Sequence, residues 1–83
     1  MLEKVLRRHK FLPVKRNGQR LYFRHSIAIG GIYVSLRGRM AEVKIPEINF
    51  SYTFNAASRL EKFLRVLERN VEDESSIFLP VAY

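Results

Sequence analysis

The chain has no cysteine. It therefore has no disulfide framework and no thiolate metal site, and its fold rests on an apolar core alone. No run approaches the roughly 20 apolar residues that cross a bilayer. The first residues, Met1 to Lys10, are charged and lack a secretory apolar segment. A cytoplasmic protein with no membrane partner is expected. Catalytic signatures are also scarce. A Walker loop, a dinucleotide glycine pattern, a zinc-binding pair and a nucleophile elbow are all missing. Glu42 and Glu47 are the only acids of the central stretch, and they form no carboxylate cluster for a metal-dependent nuclease. His9 and His25 both fall on apolar parities and read as structural. The chain is expected to bind rather than catalyse, without cofactor or metal.

What is present is a dense core and a basic surface. Hydrophobic residues make up 47% of the 83, including six Phe and four Tyr, which is typical of a globular chain. One domain, 1–83, is expected, with 72–83 as an acidic linker and apolar tail, since two domains would each be too small to bury a core. The net charge of +7 is unevenly spread. Residues 1–24 carry eight cations against the single acid Glu3, whereas Glu72, Asp73 and Glu74 make the end acidic. Such a field attracts polyanions.

Periodicity gives the elements. Leu2, Val5, Leu6 and His9 share one helical face among Lys4, Arg7, Arg8 and Lys10, which predicts a short basic helix. Asn17-Gly18 between two alternating runs predicts a hairpin. A two-residue loop pairs Arg16 with Gln19, Lys15 with Arg20, Val14 with Leu21, Pro13 with Tyr22 and Leu12 with Phe23. One face then holds Leu12, Val14, Leu21 and Phe23, and is expected to be the core side. The other holds Phe11, Pro13, Lys15, Arg20, Tyr22 and Arg24, and is expected to be open. Pro13 marks the first strand as an edge. Gly30-Gly31 predicts a bulge or bend. Ile32, Val34 and Leu36 then face Ala41, Val43 and Ile45 across a Gly38-Arg39 turn, with Tyr33 opposite Lys44 on the other side. After Pro46, residues Glu47 to Phe54 alternate again, and the sequon-like Asn49-Phe50-Ser51 inside that strand is read as chance. Asn55 to Asn70 predicts the long helix, capped by Asn55 or by a Ser58–Glu61 capping box. Its apolar stripe is Leu60, Phe63, Leu64, Leu67 and Val71. The tail Ile77 to Tyr83 would add an edge strand or dock on a partner.

The expected fold class is α+β: a short N-terminal helix, an antiparallel meander of four to five strands, and one long C-terminal helix packed on one sheet face. The candidate nucleic-acid site centres on Lys15, Arg16, Arg20, Tyr22 and Arg24. Cations interleaved with an aromatic on an open strand suit single-stranded DNA or RNA. Tyr33, Arg37, Arg39 and Lys44 extend that face. The alternative is an inhibitor or adaptor engaging an acidic protein surface. A homodimer through the tail or the long helix is expected in either case.

Two resemblances bear on this. Leu2 to His25, a short helix followed by Lys15-Arg16-Asn17-Gly18-Gln19-Arg20-Leu21-Tyr22-Phe23-Arg24-His25, resembles the start of the HicA-type messenger-RNA interferase toxins. That likeness implies a double-stranded-RNA-binding-domain-like α-β-β-β-α order and ribonuclease activity, a third functional reading. Gln19 and Arg20 stand where that family carries its catalytic histidine. The strand meander followed by one helix is also similar in topology to the transcriptional-cofactor class of single-stranded-DNA binders.

Overall fold

Two tight turns and a proline set the lengths of the strands. Arg16 pairs with Gln19 and Arg37 with Met40, so each of these turns spans only two residues. Gly38 has φ of 56°, the left-handed value that the first central position of such a turn requires. Pro46 ends its strand and opens a single 3-10 turn.

The computed structural model describes residues 1–16 and 18–73, with side chains described for 1–14 and 18–70. The elements are α1 (Leu2–Arg8), β1 (Leu12–Arg16), β2 (Gln19–Ser26), β3 (Gly30–Arg37), β4 (Met40–Ile45), β5 (Phe50–Phe54) and α2 (Ala57–Leu67), followed by a π turn (Glu68–Asp73). The strands form one antiparallel sheet in the order β1-β2-β3-β4-β5. Both helices lie on the same face of it. The architecture is α+β, as expected, with five strands rather than the three that the toxin resemblance implies.

The β1–β2 pairing is that expected from the alternation, Leu12 opposite Phe23 and Val14 opposite Leu21. The faces are inverted. β2 pairs with β3 so that Tyr22 stands opposite Val34, Arg24 opposite Ile32 and Arg20 opposite Leu36. Residues directly opposite share a face. Tyr22 therefore joins Ile32, Val34, Leu36, Ala41, Val43 and Ile45 beneath the helices, at 2% exposure. Phe11 is buried with them. Leu12, Val14, Leu21 and Phe23 turn to the uncovered side, as does His25, which is exposed rather than structural.

Local capping explains how α1 reaches the core. Phe11 donates to the Leu6 carbonyl and Lys10 to that of Arg7, a Schellman closure with Lys10 at φ 67°. The closure brings Phe11 and Leu6, both buried, to the same end of the helix. In α2, Leu60 and Leu64 are buried, and Phe63 and Leu67 pack against the cluster. Phe63 stacks on Phe50 with ring centroids 5.2 Å apart.

Three boundaries differ from expectation. α2 begins at Ala57, with Ala56 as N-cap and no side-chain capping bond, so neither Asn55 nor the Ser58–Glu61 box is used. The stretch from Glu47 is not strand throughout. Asn49 adopts φ of 57° to close the 3-10 turn, and β5 starts only at Phe50. Ile27–Ile29 form the β2–β3 turn, so β3 starts at Gly30. Asn17, the side chain of Val71 and the expected Ile77 to Tyr83 strand or dimer contact lie outside the described residues.

The inverted faces give a direct test. Tyr22→Ala is expected to cost about 3–5 kcal/mol, the range for deleting a large buried ring. Phe23→Ala should cost clearly less, with urea midpoints as the readout. The opposite ranking would mean that the sheet faces are the other way round.

Candidate nucleic-acid interface

The uncovered sheet face is built by alternate residues of all five strands, with Ser51 and Thr53 of β5 opposite Lys44 and Glu42. β1 supplies Leu12 and Val14, β2 supplies Leu21 and Phe23, β3 supplies Tyr33, Ser35 and Arg37, and β4 supplies Glu42 and Lys44. Its most distinctive feature is an aromatic pair. Phe23 and Tyr33 are cross-strand partners whose ring centroids lie 5.0 Å apart at 51°. Gly31 permits that arrangement, because a Cβ there would stand 2.9 Å from the Tyr33 ring and 3.0 Å from Phe23. Tyr33 is 39% exposed and half-buried Phe23 lies beside it. Leu12, at 67%, and Val14 continue the apolar surface to the β1 edge.

Charge flanks this platform on one side. Tyr33 stands opposite Lys44, and Arg37 is four residues further along β3 on the same face. With Leu21, Ser35, Gln19 and Glu42 they line a shallow depression of about 190 Å³. Lys44 Nζ is 4.0 Å from the Glu42 carboxylate, with both side chains substantially exposed, so water screens that pair. The arrangement offers flat π surface, a hydroxyl and cations, which can stack a base and hold its phosphate.

The sequence-predicted residues divide between the two faces. Tyr33, Arg37 and Lys44 come together on the open face, and Arg39 is exposed in the adjoining β3–β4 turn. Tyr22 and Arg24 do not belong there. Tyr22 is buried and its hydroxyl donates to Glu3 of α1. Arg24 donates to the Glu68 carboxylate at 2.6 Å and to the His9 carbonyl at 3.1 Å. Arg20 shares their face but stays exposed, lining a cleft of about 400 Å³ at the sheet end with Glu3, Leu36 and Arg39. The side chains of Lys15 and Arg16 lie outside the described residues. Phe23, Leu21, Leu12 and Val14, which alternation assigns to the core side, instead form the open surface. Their clean segregation on one hairpin face was the available signal, and only its direction was misread.

A polar network holds the other end of the helical layer. His9 Nδ1 lies 2.7 Å from Glu68 and Nε2 3.4 Å from Glu61. Arg8 and Arg65 both reach Glu61, at 3.0 and 3.2 Å. His9 thus takes part in packing, as its parity implied, but through polar contacts. Burial alone would raise the carboxyl values of Glu61 and Glu68. The His9 bond, with Arg8 and Arg65 for one and Arg24 for the other, outweighs burial and holds both below the ordinary range. For Tyr22, burial and the bond to Glu3 push the phenol upward, and that bond lowers Glu3.

No protein-family model, curated protein or solved structure matches the chain. Among the described residues, no helix is long and apolar enough to cross a membrane.

These shifts fix the pH behaviour. Carboxyls with lowered folded values contribute fully above their unfolded value, about pH 4.3, and lose that contribution as pH falls through the folded values. Tyr22 is the reverse case: its contribution is complete below about pH 10 and is lost as pH rises through the raised folded value. Urea midpoints should therefore form a plateau that falls off at both ends. Glu68→Gln should flatten the acid limb and Tyr22→Phe the alkaline one. A limb unchanged by its variant would remove that group from the account.

Proposed function

We propose that the protein is a non-enzymatic nucleic-acid-binding module that takes single-stranded DNA or RNA on the open sheet face. The observation that carries this reading is the Phe23–Tyr33 pair, uncovered on the sheet and flanked by Lys44 and Arg37. Unpaired bases bring π faces to the rings and phosphates to the cations, and no catalytic group or cofactor is needed. The site is thus moved from Tyr22 and Arg24 to Tyr33, Phe23, Arg37 and Lys44, with Arg39 at its margin. The same reading places the protein in the cytoplasm, where single strands are available.

A second reading has its own support. Leu12 and Val14 extend the apolar surface to β1, an edge strand. An adaptor or inhibitor, or a second copy forming a homodimer, would cover such an edge. Protein binding through Leu12 would respond weakly to salt.

Titration with a labelled single-stranded oligonucleotide separates the two. Binding should weaken steeply with added salt, because neutralised phosphates release counterions. Tyr33→Ala should reduce affinity by about 1–3 kcal/mol, while the melting curve stays close to that of the parent. Absence of binding at low salt, or a Tyr33→Ala variant that binds as the parent does, would defeat the reading.

A further inference from the structure

We propose that the outer surface of the helical layer is a second nucleic-acid site, one that takes the phosphate backbone of a duplex. It lies on the opposite side of the sheet from Tyr33 and does not depend on the open face being a binding site.

The inference starts from how α2 distributes its side chains. At 100° per residue, Leu60, Phe63, Leu64 and Leu67 fall within roughly a 100° arc, the arc that packs on the sheet. Arg59, Lys62 and Arg65 fall within about 120° on the opposite side, Arg69 follows on the π turn, and all four are exposed. Arg59 and Arg65 are about 9 Å apart along the α2 axis at 1.5 Å per residue. That matches roughly three base-pair steps of a duplex. Of the exposed residues in this arc, only Val66 is apolar.

α1 extends the array. Lys4, Arg7 and Arg8 are exposed, while Val5 and Leu6 are buried. The two sets of cations meet at Glu61, whose carboxylate receives both Arg8 and Arg65.

Glu3 and Glu68 of this layer face inward, and Glu61 is shared among His9, Arg8 and Arg65. Glu3 accepts from Tyr22, Glu68 from Arg24, and both Glu61 and Glu68 face His9. Each is half-buried, whereas every Lys and Arg with a described side chain on α1 and α2 is exposed. Among the described side chains no carboxylate opposes Arg59, Lys62 or Arg69. Holding so many like charges on one surface costs self-repulsion, and a polyanion removes it.

Three observations select the duplex. The aromatic residues of this layer, Phe11 and Phe63, pack inward, so nothing there stacks an unpaired base. The apolar arc of α2 is already occupied by the sheet, so the helix has no face to insert into a lipid surface. A row of exposed cations along a helix fits backbone contact, which positions without specifying sequence. If the open face takes a single strand as proposed above, one molecule holds a strand and a duplex at once.

The test uses the full chain and a short labelled duplex titrated across a range of salt. The variants are Arg59→Gln/Lys62→Gln/Arg69→Gln and the corresponding Glu triple. The parent should bind at low salt, and the Gln triple should show a log–log salt slope shallower by about 2.7, three phosphate contacts at 0.9 each. The Glu triple should bind more weakly still. Tyr33→Ala should leave duplex affinity unchanged, so a failed open-face reading and a failed helical site give different results. Three outcomes overturn the proposal: no duplex binding by the parent, a natively melting Gln triple with the parent's slope, or binding of anionic phospholipid vesicles but not of duplex.

Discussion

The turn at Ile27–Ile29 holds β2 and β3 in one register, and the rest of the molecule follows from that register. It pairs Ser26 with Gly30 and so sets Tyr22 beside Val34. A turn one residue longer or shorter, with the rest of the ladder kept, would set Phe23 beside Val34 instead and exchange the two faces of the hairpin. The Ile29 amide donates to Ser26 Oγ at 3.4 Å, and Ser26 and Ile29 are both buried, which ties the short loop down from inside. Because the loop is fixed, the apolar side of β1–β2 points to solvent and its polar side points to the helices.

That orientation gives the two halves of the covered face different chemistry. Beneath β3 and β4 the helices bury Ile32, Val34, Val43 and Ile45 in an apolar core. Beneath β2 they meet a tyrosine and an arginine, and each finds a carboxylate: Glu3 for Tyr22 and Glu68 for Arg24. A phenol or guanidinium left there without a partner would be costly. Glu3 and Glu68 are therefore spent inward, and among the described side chains no carboxylate opposes Arg59, Lys62 or Arg69. The basic outer surface and the polar inner layer share one cause.

Much of the fold was legible in the chain. The tight connection between Arg16 and Gln19, the turn at 38–39, the apolar face shared by β3 and β4 and the apolar stripe of α2 as far as Leu67 all follow from period and turn chemistry, and each is found where the pattern puts it. The face of the β1–β2 hairpin was not legible. Both of its sides carry large apolar or aromatic groups, and alternation fixes which residues travel together without fixing which set is covered. The deciding information was the length of a loop whose own residues, Ile27, Ala28 and Ile29, look like strand. For the same reason Tyr33 and Lys44 were correctly paired, because β3 and β4 have one plainly apolar side, whereas Tyr22 was placed on the wrong side. The helix cap is a different case: Asn55 and Ser58 are both good caps by composition, but the helix starts at Ala57 with Ala56 as N-cap and no side-chain capping bond.

Gly31 has a further consequence. Its backbone lies outside the left-handed region, so an ordinary residue can adopt its conformation, and what excludes a side chain there is only the two rings above it. Those rings belong to the solvent side and not to the core. A methyl group at this position would therefore lift Phe23 and Tyr33 without disturbing the layer beneath the helices. The spacing and tilt of the rings can drift over generations through one small position while the scaffold stays as it is. What the surface recognises and what keeps the chain folded are thus open to selection separately.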